Sequence, residues 1–216
     1  MATSDYPVQL TIEYPDRALD RMSSAFRIFT AIPILIVLAA LGSTNYSWDS
    51  EWGDSGRSAS SHSAAGGVGL LVLPVVLMIV FRQKYPRWWF DFNFNLMGFV
   101  NRVAGYVLLL TDVYPSTDEE QNAHLEMPYP DVERDLNRWM PLLKWLLAIP
   151  HYIVLAFLYI GVIVVAIIAW FAILFTGRLP RGLFDYMVGV MRWSNRVAAY
   201  AFVLTTDEYP PFRLAA

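Results

Sequence analysis

The chain has no cysteine, only three histidines, and charged residues at 16% of its 216 positions. Each shortage excludes something. Without cysteine there are no disulfides, no thiolate metal sites and no cysteine nucleophile. With so few charges and a net charge of −3, there is no basic arm or stripe for nucleic acid and no acidic tail. A soluble domain carries about a quarter charged residues. What fills the space instead is apolar: 56% of the residues are hydrophobic and mean hydropathy is +0.39, gathered into long blocks free of charge. Such blocks predict an integral membrane protein.

The sequence also repeats itself. Tyr14-Pro15-Asp16, Arg21, Arg27 and Ala31-Ile32-Pro33 recur as Tyr129-Pro130-Asp131, Arg138, Lys144 and Ala148-Ile149-Pro150. Phe81, Pro86-Arg87, Phe90-Asp91, Asn101-Arg102-Val103-Ala104 and Tyr106 recur as Phe175, Pro180-Arg181, Phe184-Asp185, Asn195-Arg196-Val197-Ala198 and Tyr200. Both copies close on Thr-Asp followed by Tyr-Pro, at Thr111-Asp112 and Thr206-Asp207. The reading is two tandem units, 1–115 and 123–210. The register shift places the extra residues of the first unit in the polar stretch 44–66. That stretch projects onto Tyr159-Ile160-Gly161, where a hairpin tip is expected to divide the long apolar run of the second unit.

The expected fold is therefore an all-α membrane protein with four transmembrane helices in two tandem hairpins. The spans are 25–43, 67–82, 144–160 and 161–177, with 44–66 as an outer loop. Each would be about 24–28 Å long, short for a bilayer. Pro33 and Pro150 are expected to kink the first span of each unit. The small residues Ala39-Ala40-Leu41-Gly42-Ser43 resemble a leader cleavage site, but the acidic residues before them and their mid-chain duplicate argue against a leader. Of the sixteen Lys and Arg residues, only Arg57 lies in 44–66. The positive-inside rule then places both termini and 83–143 in the cytoplasm. Trp88, Trp89, Trp139, Trp145 and Trp193 beside the basic residues fit an inner aromatic belt.

An amphipathic interfacial helix is expected after each hairpin, at 86–106 and 180–200. One stripe of the second carries Asp185, Arg192 and Arg196, and the first carries Asp91 and Arg102 at matching places. Within one helix the acid and the base stand eleven residues apart, about 16 Å, too far to pair. Two readings stay open. Antiparallel helices could pair Asp91 with Arg196 and Asp185 with Arg102; alternatively the acids and bases offset each helix's own dipole, with Arg meeting lipid phosphates. Val8–Ile12 alternates as a strand, expected to pair near 107–110 or 202–204 in a small cytoplasmic β element. Asp16 and Asp131 read as N-caps.

His151 is the one ionisable residue at depth in a span, which marks it for attention, although the first unit has Ile34 at that place. No two histidines stand at metal-ligand spacing, and neither a nucleophile motif nor a phosphate loop is present. No catalytic residue, metal or cofactor is expected. The segment Phe175-Thr176-Gly177-Arg178-Leu179-Pro180-Arg181-Gly182-Leu183-Phe184-Asp185, with Arg192-Trp193-Ser194-Asn195-Arg196-Val197 and Asp207-Glu208-Tyr209-Pro210-Pro211-Phe212, resembles a prokaryotic membrane-protein family catalogued as domain of unknown function 4389. The likeness is close in the second unit and looser in the first. It implies an inner-membrane location and no catalytic residues. The function expected is a non-catalytic membrane scaffold or accessory subunit. The alternatives are a small channel or lipid/solute conduit along the pseudo-twofold axis, and a membrane enzyme. The partners expected are the lipid bilayer and a membrane protein or second copy.

Overall fold

The computed structural model describes residues 6–15, 18–42, 67–117, 119 and 121–215. The sequence-predicted outer loop 44–66 and Asp16 lie outside these residues. In chain order the elements are β1 (Gln9–Ile12), α1 (Arg21–Gly42), α2 (Gly67–Arg82), α3 (Arg87–Val107), β2 (Ala123–Glu126), α4 (Val132–Asp135), α5 (Met140–Leu147), α6 (Ile149–Thr176) and α7 (Arg181–Ala198), which ends in a π turn at Ala199–Val203.

Among the described residues two helical runs are long and apolar enough to cross a membrane, Arg21–Ala40 and Met140–Thr176. The expected four spans are not found among them: α2, with 16 residues, is too short, and α6 is undivided. The hairpin tip expected at Tyr159-Ile160-Gly161 is absent, because one helix of 28 residues runs straight through it. Nothing there breaks a helix: proline, asparagine and aspartate are missing, and a lone glycine costs only about 1 kcal/mol against a cooperative ladder. Gly161 serves packing instead. A Cβ there would run into the Tyr186 hydroxyl, which donates to the Leu158 carbonyl at 3.1 Å. Pro150 does act as expected of proline, since α5 ends at Leu147 and α6 restarts with Pro150 in its first turn. Pro33 stays inside α1. With α6 unbroken, Arg138 and Lys144 flank one end and Arg178 and Arg181 the other, so basic residues stand at both ends of this helix.

The two expected amphipathic helices are present almost residue for residue as α3 and α7. Each lies against the long apolar helix of its own half: α3 packs on α1 and α7 on α6. The halves also exchange contacts. β1 packs on α7 and β2 on α3, while α1 lies beside α6 and α2 beside α5. β1 pairs antiparallel with β2, Leu10 opposite Leu125, rather than with 107–110 or 202–204. Those stretches are the ends of α3 and α7, whose backbone is already satisfied by helical bonding and by left-handed turns at Leu109 and Leu204. Asp131 stands directly before α4, as an N-cap would.

Burial is one-sided. α1 buries Ser24, Arg27, Ala31 and Ile34, and α6 buries His151, Leu155, Val162, Ala169 and Ile173; these are single helical stripes. The remaining faces are apolar and exposed: Ile28 at 74%, Phe157 at 71% and Phe175 at 78%. In the most apolar window of each of these two runs only 22% and 17% is buried, whereas the core helix of a soluble protein would be mostly buried.

Candidate functional site

Of the three cations buried among the described residues, Arg27, Lys144 and Arg196, the first two share one arrangement. On α1, Arg27 pairs through Nη2 with Asp112 and donates through Nη1 to the carbonyls of Thr111 and Tyr106, the latter at 3.0 Å. Its guanidinium also lies 4.5 Å from the centre of the Tyr106 ring. On α5, Lys144 repeats the arrangement. Its Nζ meets Asp207 and the Thr206 carbonyl, both at 2.7 Å, and lies 5.4 Å from the centre of the Tyr200 ring. A charge buried to this degree needs both a counter-ion and hydrogen-bond acceptors, and Arg27 and Lys144 each have them. The aspartates in turn accept backbone N–H groups ahead of α1 and α5, Asp112 from Asp20 at 2.9 Å and Asp207 from Asn137.

Between α1 and α6 lies an open groove of about 610 Å³, floored by the end of α3 at Val107–Leu109. Its walls are aliphatic and aromatic, with Ser24 and Arg27 as the polar exceptions. Trp170 closes one end, its indole donating to the Ser24 carbonyl at 3.1 Å. Ser24 Oγ and Arg27 Nε are buried and have no hydrogen-bond partner among the described residues. The corresponding seam on the other side carries Tyr152 and Phe202, whose rings are 6.2 Å apart, where the groove has Leu35 and Leu108.

The charged stripe does not assemble as an antiparallel ion-pair ladder. Arg196 donates to the carbonyls of Arg213, at 3.3 Å, and Ala215, at 2.8 Å; Arg102 donates to those of Ser116, at 2.9 Å, and Thr117, at 3.2 Å. Arg192 donates to the Leu10 carbonyl at 2.8 Å, fixing β1 on α7. Burial lowers the pKa of Arg192 and Arg196, and Asp185 partly offsets this at Arg192. Asp91 and Asp185 are exposed. The reason is packing. α3 lies on α1 and β2, and α7 on α6 and β1, so the two do not lie along each other. They meet at a reciprocal amide pair: Asn101 Nδ2 donates to Asn195 Oδ1 at 2.9 Å, and Asn195 Nδ2 donates back at 2.8 Å.

His151 is completely buried in an aromatic setting. Trp193 donates its indole N–H to Nδ1 at 3.1 Å, and Phe212 stacks on the imidazole at 4.1 Å. With Nδ1 accepting, the neutral ring carries its proton on Nε2, which has no partner among the described residues. Gly189 admits the same tail, since a Cβ there would lie 2.8 Å from that of Leu214. Among the described residues no cluster of three or more His, Cys, Asp or Glu could hold a metal.

The sequence displayed Arg27, Lys144, Asp112 and Asp207 only as repeat landmarks. The signal of their pairing was the recurrence of a cation early in each unit and Thr-Asp at its close. Residues 138–213 match the profile of a family described as Domain of unknown function (DUF4389). No curated protein and no solved structure matches the chain.

Proposed function

We propose that the protein is a non-catalytic integral membrane scaffold or accessory subunit of a prokaryotic inner membrane, built of two tandem units, with both termini cytoplasmic. The observation that carries the reading is the apolar outer face of α1 and α6, which is too extensive to stand in water. The polar surface lies elsewhere, on α3, α7 and the sheet. The tandem reading draws support from contacts that recur at the repeat spacing: Arg27 with Asp112 and Lys144 with Asp207, the hydroxyl of Tyr14 on the Leu179 carbonyl and that of Tyr129 on the Tyr85 carbonyl. Asn101 and Asn195, equivalent positions, meet each other.

The groove favours a second reading, a lipid or apolar-solute site. The conduit pictured along the pseudo-twofold axis would meet the asparagine pair there, so the groove beside α1 is its better location. Cross-linking in native membranes, followed by extraction in mild detergent, separates the readings. A scaffold yields a cross-linked partner or second copy at fixed stoichiometry. A lone chain carrying one tightly held lipid favours the groove, and a lone chain without lipid overturns both.

A further inference from the structure

α6 is too encumbered by its neighbours to stand upright in a bilayer. Its 28 residues make a rod of about 42 Å, against a hydrocarbon core of about 30 Å and a full bilayer of about 40–45 Å, so length alone permits a crossing. Its neighbours weigh more. α7 folds back along its length: Tyr186 meets the Leu158 carbonyl, Tyr159 meets Ser194 at 2.7 Å, and Trp193 meets His151. β1 lies on α7, held by Arg192. An upright α6 would therefore carry α7 and a two-stranded sheet to membrane depth. That sheet has two open edges, and Thr11, Glu13 and Glu126 are exposed on it or beside it, as is Asp185 on α7. Open edges and exposed carboxylates facing lipid are not tolerated in hydrocarbon.

Laid flat, the same molecule has no such conflict. The bare apolar face of α6, with Ile153, Ile160 and Ile167 along it, faces hydrocarbon over its whole length. Arg138 and Arg178, both exposed, come to one interface from the two ends. Trp88, Trp139 and Trp145, exposed at 63%, 62% and 58%, then sit where indoles gather. We propose that α6 lies along the membrane plane, that its exposed apolar face enters a single leaflet, and that the lipid of that leaflet, rather than a protein helix, covers it. The inference rests on the membrane reading above and replaces crossing by immersion.

The absence of native cysteine makes the test direct. R138C, I160C and R178C are made in the full chain and exposed to an impermeant maleimide in spheroplasts and in inverted vesicles. R138C and R178C are expected to label at least about tenfold more in inverted vesicles than in spheroplasts, and I160C only after SDS. Ends that label from opposite faces, or an I160C that labels in intact membranes from either side, overturn the proposal. Nitroxides at 153, 160 and 167 give a second measurement. They share one depth if α6 lies flat, whereas a crossing helix spreads them by about 15–21 Å, which would overturn the proposal. Release of the wild-type chain by carbonate defeats the membrane reading itself and is distinguished from these outcomes by that step alone.

Discussion

Arg27 and Lys144 are buried at equivalent places, and each is held by an aspartate, a threonine carbonyl and a tyrosine ring. Because charge buried without its partner is far worse than no charge, single and double substitutions should diverge. R27M leaves Asp112 facing a vacancy, and K144M leaves Asp207 so; each is expected to lose about 3–5 kcal/mol. R27M with D112L should lose less than R27M alone. Thermal unfolding in detergent, followed by circular dichroism, measures this, and equal losses in single and double variants would mean that the ion pair is inconsequential. His151 illustrates a different residue-scale point. It stood out in sequence as an ionisable group at depth, yet the neighbours around it are a stacked Phe212, the Tyr209 ring and an indole donor.

At the scale of elements, α3 and α7 were legible because proline opens each and an apolar arc runs through both. α6 was legible as apolar but not as continuous. Composition cannot distinguish a long helix from two short ones when no polar turn lies between them, and the projected position of 44–66 supplied a turn that the second half does not have. The decisive contact, Tyr186 against Gly161, is tertiary and leaves no periodic trace. It can be tested. G161A should cost about 1–3 kcal/mol by forcing the Tyr186 hydroxyl away from the Leu158 carbonyl. G161A combined with Y186F should recover most of that loss, since the hydroxyl is the atom in closest conflict; no recovery would show that the glycine matters for another reason. The partner of β1 was illegible for a related reason. β2 offers only four residues, too few for an alternating pattern to stand out.

The whole molecule is centred on two pairs that face each other, Leu10 with Leu125 and Asn101 with Asn195. Removing one asparagine leaves the other's buried amide half-satisfied, so N101A is expected to cost about 1–3 kcal/mol, and N101L with N195L less than N101A and N195A combined. A double-mutant cycle on thermal stability reads the coupling. Additive losses would dissociate the two halves energetically at this point. Sequence conveyed the halves, because the landmarks repeat. It did not convey that they interleave, with the leading arm of each lying on the other.

That interleaving has a consequence for the order in which the protein can be made. Tyr6 bonds to the carbonyl of Glu208, 202 residues away, and Leu10 waits for Arg192 across 182. At translation rates of about 5–20 residues per second, the first strand exists for roughly 10–40 s before its partners on α7 and the tail emerge. During that interval α1 can already close on α3, since Arg27 and Asp112 are 85 residues apart, whereas the first strand waits, and folding completes only when the residues after α7 close over it.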